Sequence, residues 1–139
     1  MVFTTTNGTA AIERVRTVPR VVLAALVNAE ACGRYLWQLE RSTLLVASGT
    51  RGTTSLEDVL ACGAVASFWP RSSRTDGAEV ACALFEREQS HLAQCLRESA
   101  HGQNLAAQGL SPDLEFCSQL NITRVVPVLC HDGWLRGAD

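Results

Sequence analysis

Residues 43–63 read TLLVASGTRGTTSLEDVLACG, and this stretch decides the predicted fold. Its first five residues are mostly apolar and have the length of a buried strand, whereas residues 48–54 consist of glycines, hydroxyl residues and one arginine. Small or apolar residues then recur at helical spacing: Leu56, Val59, Leu60 and Gly63. Ser55, with Asp58 three residues later, predicts a capping box at the start of that helix. The stretch therefore predicts a strand, a loop and a helix in succession.

Further strands are predicted on both sides of this stretch. Residues 2–5 are β-branched or aromatic and end at Asn7-Gly8, a pair that favours a turn. Residues 21–27 are continuously apolar and have the length of a strand. Residues 125–130 are also strand-like, and Pro127 indicates that they lie at an edge, before a turn at residues 132–133.

Helical patterns separate these strands. Short helices are predicted at residues 9–16 and 103–108 and from residue 111, and a long one at residues 76–99. The long helix has one inward stripe, formed by Ala81, Leu84, Phe85, Leu92, Cys95 and Leu96. Because parallel strands need helical crossovers, we expect residues 1–139 to form a single α/β domain. Its sheet is expected to be mostly parallel, with about four to five strands and helices on both faces.

The charges exclude several classes of function. All 12 basic residues are arginines, so Schiff-base chemistry and a phosphate-binding Walker lysine are excluded. The net charge of −2 and the absence of a basic run argue against a nucleic-acid partner or an anionic membrane surface. The six cysteines are scattered without metal or redox spacing, and residues 1–6 do not resemble a signal peptide. We therefore expect a cytoplasmic protein with reduced, mostly buried cysteines.

The predicted loops meet at one edge of the sheet, where ligands of such folds bind. These loops are residues 6–9, 28–30 and 48–55. The last combines flexible glycines, hydroxyl donors, an arginine and a helix N-terminus, which together favour an anion. Candidate anion-binding residues are Asn7, Gly8, Thr9, Asn28, Gly49, Thr50, Arg51 and Gly52. Glu57 and Asp58 are candidate metal ligands, although neighbours on a helix point about 100° apart.

A purely structural interpretation of the same residues stays open. Asn28 and Ser55 are also common helix caps, and Glu57 and Asp58 suit the first turn of a helix through its dipole. Two familiar phosphatase nucleophiles are excluded, because Arg87 follows Cys82 by one residue too few and no Asp-x-Asp pair is present. No catalytic nucleophile is therefore assigned.

Taken in order, the motifs resemble those of the 2-phosphosulfolactate phosphatases of coenzyme M biosynthesis. The matching stretches are TTTNGT at 4–9, VNA at 27–29, SGTRG at 48–52, SLEDVLACG at 55–63, DGA at 76–78, SAHG at 99–102, DLEFC at 113–117 and VP at 126–127. The resemblance covers the C-terminal half of the family members' sequences, which extend further at the N-terminus. Asn121 stands where the family is expected to carry an aspartate.

The resemblance implies an Mg²⁺-dependent phosphatase that acts on a small acid bearing a phosphate and a sulfonate. It implies that Arg51 and nearby N–H groups neutralise an oxyanion, that Glu57 or Asp58 holds Mg²⁺, and that a metal-activated water is the default nucleophile. Homo-oligomerisation is expected to cover the part of the sheet that the absent N-terminal half would contact. The alternative hypothesis is a non-catalytic anion-binding or interaction domain that keeps the C-terminal scaffold.

Overall fold

A computed structural model describes residues 5–138, and helices provide most of their regular structure. The α-helices are α1 (Thr6–Val15), α2 (Ala29–Gln38), α3 (Leu56–Ala66), α4 (Asp76–Glu88), α5 (Leu92–Glu98), α6 (Ala100–Ala107) and α7 (Ser111–Cys117). Two short 3₁₀ helices cover Leu26–Asn28 and Arg71–Ser73. Among residues 5–138, no helix is long and apolar enough to cross a membrane.

The core lies where α3 and α4 pack together, against α2 and the 3₁₀ helix Leu26–Asn28. Gly63 of α3 allows a close approach, because a Cβ there would lie 2.1 Å from the carbonyl oxygen of Ala81 on α4. The buried residues of the core are Leu26, Ala29, Leu60, Ala64, Val65, Phe85, Leu92 and Leu96. This packing fixes the direction in which α3 presents its N-terminus.

The predicted inward stripe is confirmed, but its helix is interrupted. Four of the six residues are buried and Leu84 and Cys95 are half-buried, although they belong to two helices, α4 and α5. The break falls at residues 89–91, where the His91 N–H donates to the Glu88 carbonyl and the Ser90 hydroxyl bonds to His91 Nδ1. Because apolar spacing continues across the break, the pattern predicts one helix where the chain forms two.

The sheet is small and antiparallel. Strand β1 (Pro127–Leu129) pairs with β2 (Leu135–Gly137), with Val128 opposite Arg136. The predicted turn between them is confirmed: Gly133 has a φ of 82° and donates its N–H to the Cys130 carbonyl. On the other side of β1, residues 21–23 run antiparallel through a bridge between Val22 and Val128.

The predicted mostly parallel sheet of four to five strands is therefore wrong. Residues 21–27 pair with β1 only at their start and then enter the 3₁₀ helix Leu26–Asn28. Residues 43–47 make no backbone hydrogen bond with any residue of the range 5–138. Apart from Thr5, the predicted strand at residues 2–5 lies outside the described residues. A short apolar run indicates where chain is buried or extended, but pairing depends on a distant partner that the run does not encode.

Candidate functional site

The loop before α3 is a tight turn that presents Arg51 at its tip. Thr50 and Thr53 exchange two backbone hydrogen bonds of 3.0 Å, and Arg51 and Gly52 between them have φ values of 53° and 80°. Two central residues with positive φ are typical of type I′ turns. Because the N–H groups of Thr50 and Thr53 are bonded within the turn, the predicted cradle of backbone donors is smaller than the sequence suggests.

Asp58 fastens this loop to the first turn of α3. Its Oδ2 accepts hydrogen bonds from the Gly49 N–H at 2.6 Å and from the Ser48 hydroxyl at 3.1 Å. Gly49 itself has a φ of 68°, and a Cβ there would lie 2.5 Å from the Thr53 carbonyl oxygen, so the position requires glycine. Asp58 therefore holds the loop, a role that the candidate metal ligand was not predicted to have.

The predicted capping box at Ser55 is not formed. Ser55 is the N-cap of α3, but its buried hydroxyl bonds to the Thr50 hydroxyl at 2.7 Å and makes no capping bond to the helix. The Asp58 carboxylate bonds back to the preceding loop, as described. The first turn of α3 is consequently tied to residues 48–50 by side-chain bonds at both Ser55 and Asp58.

Glu57, beside Asp58 on α3, carries an unsatisfied oxygen. Its Oε2 is buried and has no hydrogen-bond partner among the described residues. Buried carboxylate oxygens are normally paired, so an unpaired one indicates a missing partner. Within residues 5–138 no group of three or more His, Cys, Asp or Glu residues is placed to hold a metal ion. Glu57 therefore offers one unpaired oxygen as a metal ligand, but the described residues do not form a complete coordination site.

Residues 6–9 and residues 48–55, two of the three predicted loops, contact each other. The Arg51 N–H donates to Asn7 Oδ1 at 3.4 Å, across 44 residues of sequence. Asn7, Gly8 and Thr9 lie in the first turn of α1 rather than in a loop, because Thr5 and Thr9 cap that helix reciprocally through their hydroxyls. The Arg51 guanidinium is exposed and forms no ion pair or hydrogen bond with any group in the described range. The α1 N-terminus and the Arg51 turn thus form one surface.

Asn28 is engaged elsewhere. Its Oδ1 accepts from the Ala25 N–H at 2.8 Å, and its Nδ2 donates to the carbonyls of Leu23 at 3.3 Å and Val125 at 3.1 Å. The residue is buried at 6% exposure. These bonds join two distant parts of the backbone. Asn28 occupies the N-cap position of α2, but its side chain makes no capping bond to that helix, so it is not the ordinary helix cap that the structural alternative predicted.

The structural roles of two residues of this region were not predicted from the sequence. The Ser48 hydroxyl on Asp58 had no signal beyond its place in a polar loop. Asn121 has a φ of 57°, and its Oδ1 accepts from the Glu30 N–H at 2.8 Å, so it caps α2 from 91 residues away. Asparagine is a residue type that tolerates positive φ, which is the one hint the sequence contained.

Five of the six cysteines are poor candidates for a nucleophile. Burial raises the pKa of the Cys32 thiol to about 11, and burial is also the main cause of the raised pKa values of Cys62, Cys82, Cys95 and Cys117. A thiol with a raised pKa is protonated at neutral pH and is a poor nucleophile. All six cysteines are free, but only Cys32 and Cys82 are buried, so the expectation of mostly buried cysteines is wrong.

The family follows from comparison with known proteins. A sequence model described as 2-phosphosulpholactate phosphatase matches residues 1–132, nearly the whole chain. The chain belongs to the 2-phosphosulfolactate phosphatase family. The matched region contains α1, the Arg51 turn and the first turn of α3, so the surface described above lies within the family sequence.

Individual relatives carry the same name. A protein of Symbiobacterium thermophilum, named probable 2-phosphosulfolactate phosphatase, is 42% identical over 132 residues. Proteins of the same name from Nostoc punctiforme and Deinococcus radiodurans are 36% and 39% identical over 141 and 134 residues. These matches cover 92%, 95% and 93% of this chain but only 57%, 57% and 55% of the relatives. The chain therefore spans little more than half the length of these relatives.

Proposed function

We propose that this chain provides part of a phosphatase that hydrolyses the phosphate monoester of a small sulfonated and carboxylated acid, with 2-phosphosulfolactate as the substrate. Water attacks phosphorus, the ester P–O bond breaks, and the products are the corresponding alcohol and inorganic phosphate. The observation that carries the proposal is the Arg51 guanidinium, which stands at the tip of a hydrogen-bonded turn without a carboxylate partner in the described range.

The turn suits recognition of an anion. Arginine binds an oxyanion through two parallel N–H donors, and this binding is strongest when no acid of the protein competes for them. The neighbouring Gly52 N–H makes no backbone hydrogen bond to another described residue and can add a donor. Asn7, which already contacts the Arg51 backbone, and Thr9 are proposed to orient the non-reacting oxygens of the substrate. Asn28 is proposed to stabilise the fold through its backbone hydrogen bonds and not to touch the ligand.

Two carboxylates beside an anion site would repel the anion unless a cation accompanies it. Mg²⁺ typically binds one or two protein carboxylates and keeps several waters, so the unpaired Glu57 Oε2 fits this ion. Asp58 is a weaker candidate because its Oδ2 already accepts two hydrogen bonds from the loop. When bound, Mg²⁺ would polarise the phosphoryl oxygens and lower the pKa of a coordinated water. Glu57 is thus proposed as the main ligand.

We also propose that the chain works in the cytoplasm and as a homo-oligomer. The six free cysteines support a reducing compartment. Val80 on α4 and Phe116 on α7 are large apolar side chains that point into solvent, which supports self-association. Sedimentation velocity over a range of concentrations tests the second point, and a monomer at all concentrations would contradict it.

The experiment that tests the function measures binding and turnover on the same protein. Phosphate should raise the thermal midpoint of the 139-residue chain, and Arg51→Ala should abolish most of that increase. Arg41→Ala is the matched control, because Arg41 likewise lacks an acid partner among the described residues but lies outside the turn. An equal increase in the Arg51 variant would exclude the turn as an anion site.

Turnover separates the proposal from its alternative. Release of phosphate from 2-phosphosulfolactate in the presence of Mg²⁺, lost with Arg51→Ala and with EDTA, is the expected result. Phosphate binding that depends on Arg51, without any release of phosphate, would favour the anion-binding domain instead. If the chain neither binds phosphate nor releases it from the substrate, both hypotheses are contradicted.

A further inference from the structure

Arg51 has a backbone conformation that few residues other than glycine adopt. Its φ of 53° lies in the left-handed region, where a residue with a side chain is strained unless its surroundings hold it there. Such residues cluster at binding and active sites, because the strain can preorganise a group for its ligand. Other groups of the protein must therefore hold Arg51 in this conformation.

The bonds that close the turn converge on Thr50. Its N–H and carbonyl bond to Thr53, and the Thr53 hydroxyl donates a further bond of 2.7 Å to the same Thr50 carbonyl. The Arg51 N–H adds a longer bond of 3.4 Å to Asn7 of α1. The shape of the turn is thus set mainly within residues 50–53, and these bonds do not fix its orientation towards the core.

Ser55 connects Thr50 to the core of the protein. The hydroxyl oxygens of the two residues are 2.7 Å apart, and Ser55 is only 5% exposed. Ser55 is the N-cap of α3, and Leu60, Ala64 and Val65 of that helix are buried in the core. The hydroxyl bond therefore ties the orientation of the Arg51 turn to that of α3.

This bond replaces the ordinary cap of the helix. A serine at an N-cap normally accepts a hydrogen bond from a backbone N–H of the first turn. Thr5 and Thr75 cap α1 and α4 in this way, but the Ser55 side chain makes no capping bond to α3. The Ser55 hydroxyl thus serves the loop and not the helix.

We propose that Ser55 and Thr50 are positioning residues of the anion site: their hydroxyl bond holds the Arg51 turn in its ligand-binding shape, and neither hydroxyl contacts the ligand. This inference rests on the proposed binding of an anion by Arg51. It gives Thr50, which the sequence predicted to bind the anion directly, an indirect role. It also separates Ser55 from Asp58, which bonds to the two residues before Thr50.

Phosphate affinity tests the proposal. Isothermal titration calorimetry with inorganic phosphate measures Kd at a temperature at which the variants are folded. Ser55→Ala should raise Kd by about three- to tenfold, because phosphate must then order the turn when it binds. Ser67→Ala is the matched control, since it removes a serine hydroxyl bond of 2.7 Å at the other end of α3 and should leave Kd unchanged. An unchanged Kd in Ser55→Ala, with binding lost in Arg51→Ala, would overturn the proposal.

A double-mutant cycle identifies the bond itself. Thr50→Val removes the hydroxyl and keeps the shape of the side chain, so it should raise Kd as much as Ser55→Ala does. The double variant should show no further increase, because both changes remove the same bond. Thr50→Ser keeps a hydroxyl and should bind phosphate like the parent. Additive increases in the double variant would show that the Thr50 hydroxyl contacts phosphate, and would contradict the indirect role.

Thr50→Val also replaces Ser55→Ala in the affinity test if the latter variant does not fold. Thr50 lies in the loop and is half-buried, whereas Ser55 is buried at the start of a helix. In that case a Kd equal to that of the parent in Thr50→Val overturns the proposal.

Amide exchange separates this proposal from the proposed function. Exchange of the Thr50 and Thr53 amides, which close the turn, is measured by NMR without phosphate. Ser55→Ala should accelerate it by about threefold or more, whereas Ser67→Ala should not, because only the first change releases the turn. If the parent does not bind phosphate, faster exchange in Ser55→Ala still supports the positioning role, while the proposed function fails. Equal exchange in the parent and in Ser55→Ala would overturn the positioning role.

Discussion

Asp58 Oδ2 accepts a hydrogen bond from the Gly49 N–H at 2.6 Å, nine residues before it in the sequence. The bond joins the first turn of α3 to the loop that carries Arg51. Since α3 is packed closely against α4, the loop is attached to the most extensively packed pair of helices in the described fold. The position of the Arg51 guanidinium therefore depends on a carboxylate that does not touch it.

Asp58→Ala should lower the free energy of unfolding by about 1–3 kcal/mol, because it removes a charged acceptor from the Gly49 N–H and the Ser48 hydroxyl. Urea denaturation measures the change. Asp76→Ala is the control, since it also removes an acid from the first turn of a helix but Asp76 is exposed. Equal losses in the two variants would show that the helix dipole, and not the loop bonds, accounts for the effect.

Glu57→Gln should abolish the increase in thermal midpoint that Mg²⁺ is expected to cause, because the amide lacks the negative charge that the ion needs. Without Mg²⁺ the variant should be at least as stable as the parent, since Oε2 has no partner to lose within residues 5–138. Differential scanning fluorimetry with and without Mg²⁺ measures both. Glu86→Gln on the exposed face of α4 serves as the control, and an unchanged Mg²⁺ effect in the Glu57 variant would exclude this ligand.

Gly63→Ala should destabilise the protein by about 1–3 kcal/mol, because a Cβ at this position would lie 2.1 Å from the Ala81 carbonyl oxygen and force α3 away from α4. Gly77→Ala, on α4, meets no atom within 4 Å and should be neutral or stabilising by up to about 1 kcal/mol. Chemical denaturation of both variants measures the difference. Similar stability of the two would mean that α3 and α4 are not in close contact at Gly63.

The hairpin of β1 and β2 should respond to acid through Asp132. Two hydrogen bonds from Arg136 and one from the Trp134 N–H lower the pKa of the Asp132 carboxyl from 3.8 to about 2. Because the folded pKa is the lower one, the stabilising contribution is complete above about pH 4 and is lost as the pH falls towards 2. An NMR titration of the Asp132 carboxyl carbon measures this pKa. Arg136→Gln should raise it towards 3.8, and no change in that variant would exclude Arg136 as the cause.

Helices were more predictable than sheet pairing. The stripe from Ala81 to Leu96 was predicted because helical periodicity depends only on residues that are close together in the sequence. The same local information could not show that the chain turns at Ser90-His91, where neither glycine nor proline marks the end of α4. Nor could it show that residues 21–23 pair with residues about a hundred positions later, and in the antiparallel direction.

The candidate site was likewise predictable only in its local sequence features, and not in its hydrogen bonds. Residues 48–55 form the Arg51 turn and contact Asn7, although the sheet edge at which the loops were expected to meet is not formed in residues 5–138, and the anion-binding role of the turn stays a prediction. The direction of each bond was not predictable. Whether Asp58 caps its own helix or fastens Gly49 depends on a positive φ at Gly49, which composition permits but does not require.

The bonds made by Asn28 have a consequence for the order in which the protein is made. A ribosome produces residue 28 long before residue 125, so the amide of Asn28 has no Val125 carbonyl to bond while the chain is being synthesised. Asn121 and β1, which also complete this region, arrive equally late. The bonds of Asn28 to Val125 and of Glu30 to Asn121 can therefore form only after residue 125 has left the ribosome, later than the contacts among α2, α3 and α4.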